Sequence, residues 1–240
     1  MNWHNLQRTI GYLFSDVSQL ENALTHPSYA AETAVDTEHY ERLEFLGDAV
    51  LQIVITDLIF LAYPAAPEGQ MTKMRSLLTR ESTLAEFGRS LDLGNHLRLG
   101  KGEAATGGKN RESLLCDSFE ALLGAMYLDA DSDLEPVREL MLELLGDSLM
   151  DLESKLAQAN PKGALQELTQ MLFGKHPFYE TIGVEGPDHE RIFTVQVLID
   201  KMVYGEGSGK KRQLAEEQAA LAAINYLETD HGKEHNDETP

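Results

Sequence analysis

The hydrophobic period changes once along this chain, near Asn160–Pro161, and that change limits what it can fold into. Ahead of it, apolar residues recur three and four apart: Leu43, Leu46, Val50 and Ile53–Val54, then Leu77–Leu78, Leu84 and Phe87, then Leu114–Leu115, Phe119, Leu122–Leu123 and Met126. This is the period of helices with a buried face. Breaks fall at Pro64–Pro67, Gly94–Asn95 and Gly100–Gly108. Asp129–Asp133 ends one helix, and Pro136 sits in the first turn of the next, which is expected to run to about Ser154. Beyond the change, Lys162–Leu172 reads as a short helix, Phe178–Val184 and Ile192–Ile199 alternate as strands do, and Val203–Tyr204 follows them. The alanine-rich Leu214–Leu227 is helical by propensity. The chain is therefore expected to be multidomain. An all-α domain covers residues 1–153 and a linker 154–160; a small α-β-β-β-α domain of the α+β class covers 161–228, and an acidic disordered tail 229–240.

Hydrophobic residues make up 42% of the 240, enough for a packed core. The single cysteine, Cys116, excludes a disulfide framework and a cysteine-based zinc site, and suits a reducing cytoplasm. Nothing near the start resembles a signal peptide. The apolar run Ala49–Tyr63 is interrupted by Gln52, Thr56 and Asp57 and reads as too short and too polar to cross a membrane. Forty acidic residues against twenty basic ones give a formal charge of −20, which taken alone argues against a polyanionic partner. The excess is uneven. Residues 1–159 carry 12 basic and 26 acidic side chains, whereas 160–228 carry 7 and 10.

Some of those acids stand where a helix should be apolar. Glu41, Glu44 and Asp48 fall at i, i+3 and i+7 among Leu43, Phe45, Leu46, Val50 and Leu51, so they form one stripe. Asp117 and Glu120 repeat the arrangement in a second apolar helix. Two such helices face to face would make an oxygen-only cage, which selects Mg²⁺ or Mn²⁺ before zinc. Half-exposed acids paired with Arg42, Arg75 or Arg111 fit the spacing equally well. A ferritin-like di-iron bundle needs Glu-x-x-His twice, and the chain has it once, at Glu228–His231. Gly47 and Gly124 lie inside the same two helices, where each costs about 1 kcal/mol relative to alanine, and close helix approach would account for them.

These residues resemble the bacterial ribonuclease III family. The signature is Glu41-Arg-Leu-Glu-Phe-Leu-Gly-Asp48-Ala-Val-Leu, flanked by Leu24-Thr-His-Pro-Ser-Tyr29, Leu99-Gly-Lys-Gly-Glu103, Gly107-Gly108, Arg111-Glu-Ser113 and the run from Asp117 to Asp129. The C-terminal part resembles a double-stranded-RNA-binding domain through Pro161-Lys162, Leu165-Gln166-Glu167, Pro177-x-Tyr179, Gly186-Pro-Asp-His189, Phe193-x-Val195 and Gly205-Glu-Gly207 leading to Lys210-Lys211-Arg212. The resemblance implies an Mg²⁺-dependent endoribonuclease specific for double-stranded RNA, with Mn²⁺ able to substitute. Glu44, Asp48, Asp117 and Glu120 would hold the metal, with Asp48 and Glu120 catalytic and Glu120 indispensable. Glu41 and Glu68 match second-tier acidic positions near the cleavage valley, and pairing with arginines at a subunit interface fits them equally well. The family is a homodimer, with Phe45 near its interface, and leaves 5′-phosphates and short 3′ overhangs. Ribosomal-RNA precursors and messengers are the expected substrates, with no membrane and no organic cofactor involved.

For RNA binding the resemblance points to Gln166 and Glu167 at one minor groove, His189 at the next, and Lys210, Lys211 and Arg212 on the phosphates between them. One departure stands out. Arg212-Gln213-Leu214 intervene before the Ala-Glu run, so the segment from Gly207 to Ala215 is about two residues long for the family. Either the loop absorbs the extra residues and Lys210–Lys211 serve, or a longer helix gives their place to Arg212–Gln213. A regulator that binds duplexes without cutting them is the rival reading; intact acids at all four matched positions favour the enzyme.

Overall fold

A computed structural model describes residues 3–33, 37–187 and 190–234, in two compact units, Met1–Met150 and Asp151–Pro240. The first is helical: α1 (His4–Thr9), α2 (Val17–Ala23), α3 (Pro27–Glu32), α4 (Glu41–Ala62), α5 (Glu68–Leu78), α6 (Glu81–Ser90), α7 (Leu93–His96), α8 (Lys101–Ala105), α9 (Glu112–Asp129) and α10 (Glu135–Leu145). Local chemistry sets several starts. The Asp16 carboxylate accepts from the Ser18 N–H to open α2, and Pro27 and Pro136 occupy first turns.

At the centre α4 lies on α9. Leu51, Ile55 and Ile59 of α4 and Leu115, Phe119 and Leu122 of α9 are fully buried. A Cβ on Gly47 would strike the carbonyl oxygen of Glu120, and one on Gly124 would strike that of Leu43 and come within 3.1 Å of the Gly47 nitrogen. The two glycines therefore set a backbone-to-backbone crossing that no side chain allows.

Helix α4 differs from expectation. It starts at Glu41, as the acid stripe requires, but the run read as too short and too polar is part of a 22-residue helix with a mean hydropathy of 1.9 over its apolar window, long and apolar enough by length and composition to cross a membrane. Its buried face is the domain core, and its outward face leaves Phe45, Ile53, Phe60 and Leu61 exposed. The single helix expected to reach Ser154 is also interrupted. Gly146, at φ +47° and ψ −135°, stops α10, and a 3₁₀ segment over Gly146–Asp151 follows. Most of the expected linker is then helix α11 (Leu152–Ala159), whose Ala157 packs on the core of the second unit.

That unit continues with α12 (Pro161–Phe173), opened by the Asn160 side chain accepting from the Gly163 N–H. Strands β1 (Phe178–Glu185), β2 (Ile192–Ile199) and β3 (Met202–Gly209) form an antiparallel sheet in chain order, and α13 (Arg212–Glu234) closes the domain. Asp200 and Lys201, both with positive φ, make the tight β2–β3 turn. Leu165, Val197, Ile199, Ala219, Ala223 and Ile224 are the core.

β3 is far longer than Val203–Tyr204 because glycines hide it. Gly205 and Gly207 face α13, where a Cβ would collide with the backbone of Ala219. The alanine run and the glycine run are two halves of one close contact, and glycine is a poor strand signal. Residues 229–234, expected in a disordered tail, continue α13, since the charged residues after Leu227 include good helix formers; 235–240 lie outside the described residues.

Candidate active site and nucleic-acid interface

The Gly47–Gly124 crossing sets Glu44 and Asp48 of α4 beside Asp117 and Glu120 of α9. Glu120 records the result: burial first, then the charges of Asp48, Glu44 and Asp117, push its carboxyl up to about 8. Glu44 is raised by burial and by Asp117 and Glu41. Asp117 is raised mainly by burial, against a hydrogen bond from Tyr40 that favours its charged form. Among the described residues none of the four carboxylates has an ion-pair partner. The alternative of acids paired with arginines is therefore not what the chain builds: Arg111 pairs with Glu103 at 2.7 Å, and Arg75 donates to Thr56 at 3.1 Å.

Four oxygen donors, mutually destabilised and without His or Cys, fit a hard dication. Among the described residues no three acidic, histidine or cysteine side chains yet converge closely enough to hold an ion, and like charges on one face repel. Two side chains steady the group. Tyr40, 3% exposed, donates its hydroxyl to Asp117 Oδ2 at 3.3 Å, and Gln52 donates to Asp48 Oδ1 at 3.3 Å. The His26 ring meets Tyr40 edge-on with centroids 5.6 Å apart. Tyr40 had no signal of its own in the sequence beyond its place just ahead of the signature.

The second-tier acids separate. Glu41 opens α4 beside Glu44, exposed, with Oε2 3.7 Å from His39 Nδ1. Glu68 opens α5, accepts from Thr72 at 2.9 Å, and lines a cavity of about 150 Å³ with Thr56, Phe60 and Arg75. It sits by the C-terminal half of α4, whereas the four acids flank its N-terminal half.

In the second unit Gln166 and Glu167 are exposed on α12. His189 lies outside the described residues. β3 ends at Gly209 and α13 begins at Arg212, so Lys210 and Lys211 form the exposed turn between them and have no ion-pair partner among the described residues. Arg212 is already committed: its Nε donates to Glu216 Oε1 at 2.9 Å, and Lys162 Nζ donates to Glu216 Oε2 at 2.5 Å. Burial works against ionisation of Glu216, but these two donors outweigh it and hold the carboxyl below its ordinary range.

Comparison with known proteins finds relatives for both units. A Ribonuclease-III-like family model matches residues 16–146, and a double-stranded RNA binding motif matches 161–227. Ribonuclease 3 of Oleidesulfovibrio alaskensis is 42% identical over 226 residues, covering 94% of this chain and 98% of that protein. Ribonuclease 3 of Shewanella amazonensis is 43% identical over 230 residues, covering 94% and 97%. The crystal structure of the nuclease domain of ribonuclease III from Campylobacter jejuni is similar with a TM-score of 0.55 and 35% identity, covering 61% of this chain and 95% of that one. The chain belongs to the ribonuclease III family of endoribonucleases, with its nuclease domain followed by a double-stranded RNA binding motif.

Proposed function

We propose that the chain cleaves double-stranded RNA with Mg²⁺, or Mn²⁺ in its place, leaving 5′-phosphate and 3′-hydroxyl ends with short 3′ overhangs. The carrying observation is Glu120, half-buried among three carboxylates with no ion-pair partner among the described residues. Glu44, Asp48, Asp117 and Glu120 would hold the metal, with Asp48 and Glu120 the catalytic pair. A bound dication supplies a water of lowered pKa and neutralises charge on the leaving oxygen. The side chains do the rest: Tyr40 fixes the rotation of Asp117, Gln52 that of Asp48, and the buried glycine crossing holds the two helices rigid. In the second domain Gln166, Glu167 and His189 would meet minor grooves, and Lys210 and Lys211 the intervening phosphates. Incubating a long RNA duplex with and without Mg²⁺, then analysing the ends, tests this; cleavage in excess chelator, or 5′-hydroxyl products, would overturn it.

The functional unit in this reading is a homodimer. Phe45 is 83% exposed beside a groove of about 870 Å³ lined by Asn22, His39, Arg42, Leu46 and Leu128. An aromatic ring this exposed beside an open groove is what a second copy would cover. A related Campylobacter jejuni nuclease-domain structure is described by its flexibility in a region involved in dimer formation. Phe45→Asp should convert dimer to monomer in sedimentation; an unchanged dimer would place the interface elsewhere. Ribosomal-RNA precursors and messengers in the cytoplasm are the proposed substrates, with no membrane and no organic cofactor in the reaction.

A further inference from the structure

The basic cluster at the start of α13 divides in two. Lys210 and Lys211 are exposed and without ion-pair partners among the described residues, whereas Lys162 and Arg212 converge on Glu216. The Glu216 side chain is only 12% exposed, so both its oxygens are spent inside the domain. Lys162 also lies over the Tyr179 ring, 4.8 Å from its centroid, which ties the group to β1. Lys162 is in the first turn of α12, one turn ahead of Gln166. Arg212 opens α13, directly after Lys211. Glu216 therefore joins the base of one RNA-facing element to the base of the other, with an aromatic ring beneath.

We infer that Glu216 is a positioning residue for duplex shape, one that keeps Lys210–Lys211 and Gln166–Glu167 at a fixed span matched to A-form RNA. The inference rests on the duplex-binding reading above. A-form and B-form duplexes differ in groove width and in the spacing of phosphates across a groove. Two contact regions at a rigid span favour one form. Two regions free to slide take either, because phosphate attraction alone carries no shape. Glu216 also withholds Lys162 and Arg212 from the phosphates, so the salt dependence of binding should come from Lys210 and Lys211 in this part of the domain.

The test uses the full chain carrying Glu120→Gln, so that RNA survives, with RNA and DNA duplexes of roughly 20 base pairs, slightly longer than one domain spans. Affinities are measured across a salt series. Glu216→Gln should weaken RNA binding about tenfold and DNA binding by less than about twofold, with an unchanged salt slope for RNA. Glu216→Asp, which keeps the carboxylate, should recover part of the RNA affinity. Arg212→Gln, which cuts only the α13 side of the tie, should lose selectivity in the same direction but less. Lys210→Ala with Lys211→Ala should weaken both duplexes and flatten the slope by about 2. Circular dichroism establishes that each variant is folded, and Arg212→Gln carries the test if Glu216→Gln does not fold. Equal losses on RNA and DNA, no loss at all, or tighter binding with a steeper slope would each overturn the positioning role. A parent chain with no preference for RNA over DNA would instead overturn the duplex-RNA reading on which it rests.

Discussion

Each domain holds a half-buried carboxylate whose neighbours set its charge state, and the two are treated oppositely. Glu120 of the nuclease domain is half-buried beside three further acids, and its carboxyl is pushed up to about 8. Glu216 of the RNA-binding domain is also half-buried but carries two cations of its own, and its carboxyl is pushed down. Burial acts in the same direction on both; the partners decide the sign. A carboxylate whose partner belongs to the chain is part of the scaffold. One without a partner among the described residues is a candidate site for an ion from outside.

The largest effect that would break this contrast is catalytic. Glu120→Gln should reduce RNA cleavage by at least about 10³-fold, through loss of a hard anion from the charge-stabilising group, while leaving duplex affinity intact. Near-normal cleavage by that variant at low Mg²⁺ would remove Glu120 from the metal group. Next comes the glycine crossing. Gly47→Ala must part α4 from α9 at the Glu120 carbonyl, where no flexible atom can yield, and should cost more than about 3 kcal/mol of nuclease-domain stability. Duplex binding by the second domain should survive it. Gly207→Ala should do the reverse, because its Cβ meets the α13 backbone. If either substitution disables both activities, the domains do not fold independently.

A smaller effect sharpens the contrast through pH. In metal-free protein Glu120 binds its proton more tightly folded than unfolded, so stability should fall as pH rises from the ordinary value of 4.5 towards about 8, then level off. Glu120→Gln should remove that slope and stabilise the metal-free domain by roughly 1–2 kcal/mol at pH 8, allowing for solvent screening. Thermal melts in chelator across that range measure it, and parallel curves for the two proteins would contradict the assignment. Glu216 has the opposite sign. Its contribution is complete above the ordinary carboxylate value and is lost as pH falls through the lowered folded one, so the RNA-binding domain should weaken only in acid below about pH 4.5. Glu216→Gln should flatten that acid limb and change the melt least of all.

Much of this was legible before the fold. The helix-to-strand change at Asn160–Pro161, the acid stripes and the order of elements all depend on periods of a few residues, which a sequence displays directly. What escaped detection has one common cause. β3 is built on glycines that look like a loop until Ala219 is seen lying against them. The residues read as linker are helical because Ala157 has a core to pack on. Tyr40 acquires a role only because Asp117, 77 residues away, comes within reach of its hydroxyl.

The sequence by itself determined the two-domain architecture, the family and the acid stripe on each of two helices, because each is written in short-range spacing and motif order. Tertiary structure decided how those groups behave. It closed two helices onto a glycine pair so that Glu120 is half-buried among like charges, and it sorted a run of cations into two that face solvent and one that, with Lys162, is spent on Glu216. Charge, burial and partner together set what a side chain does, and in a folded chain the last two come from residues far away in sequence.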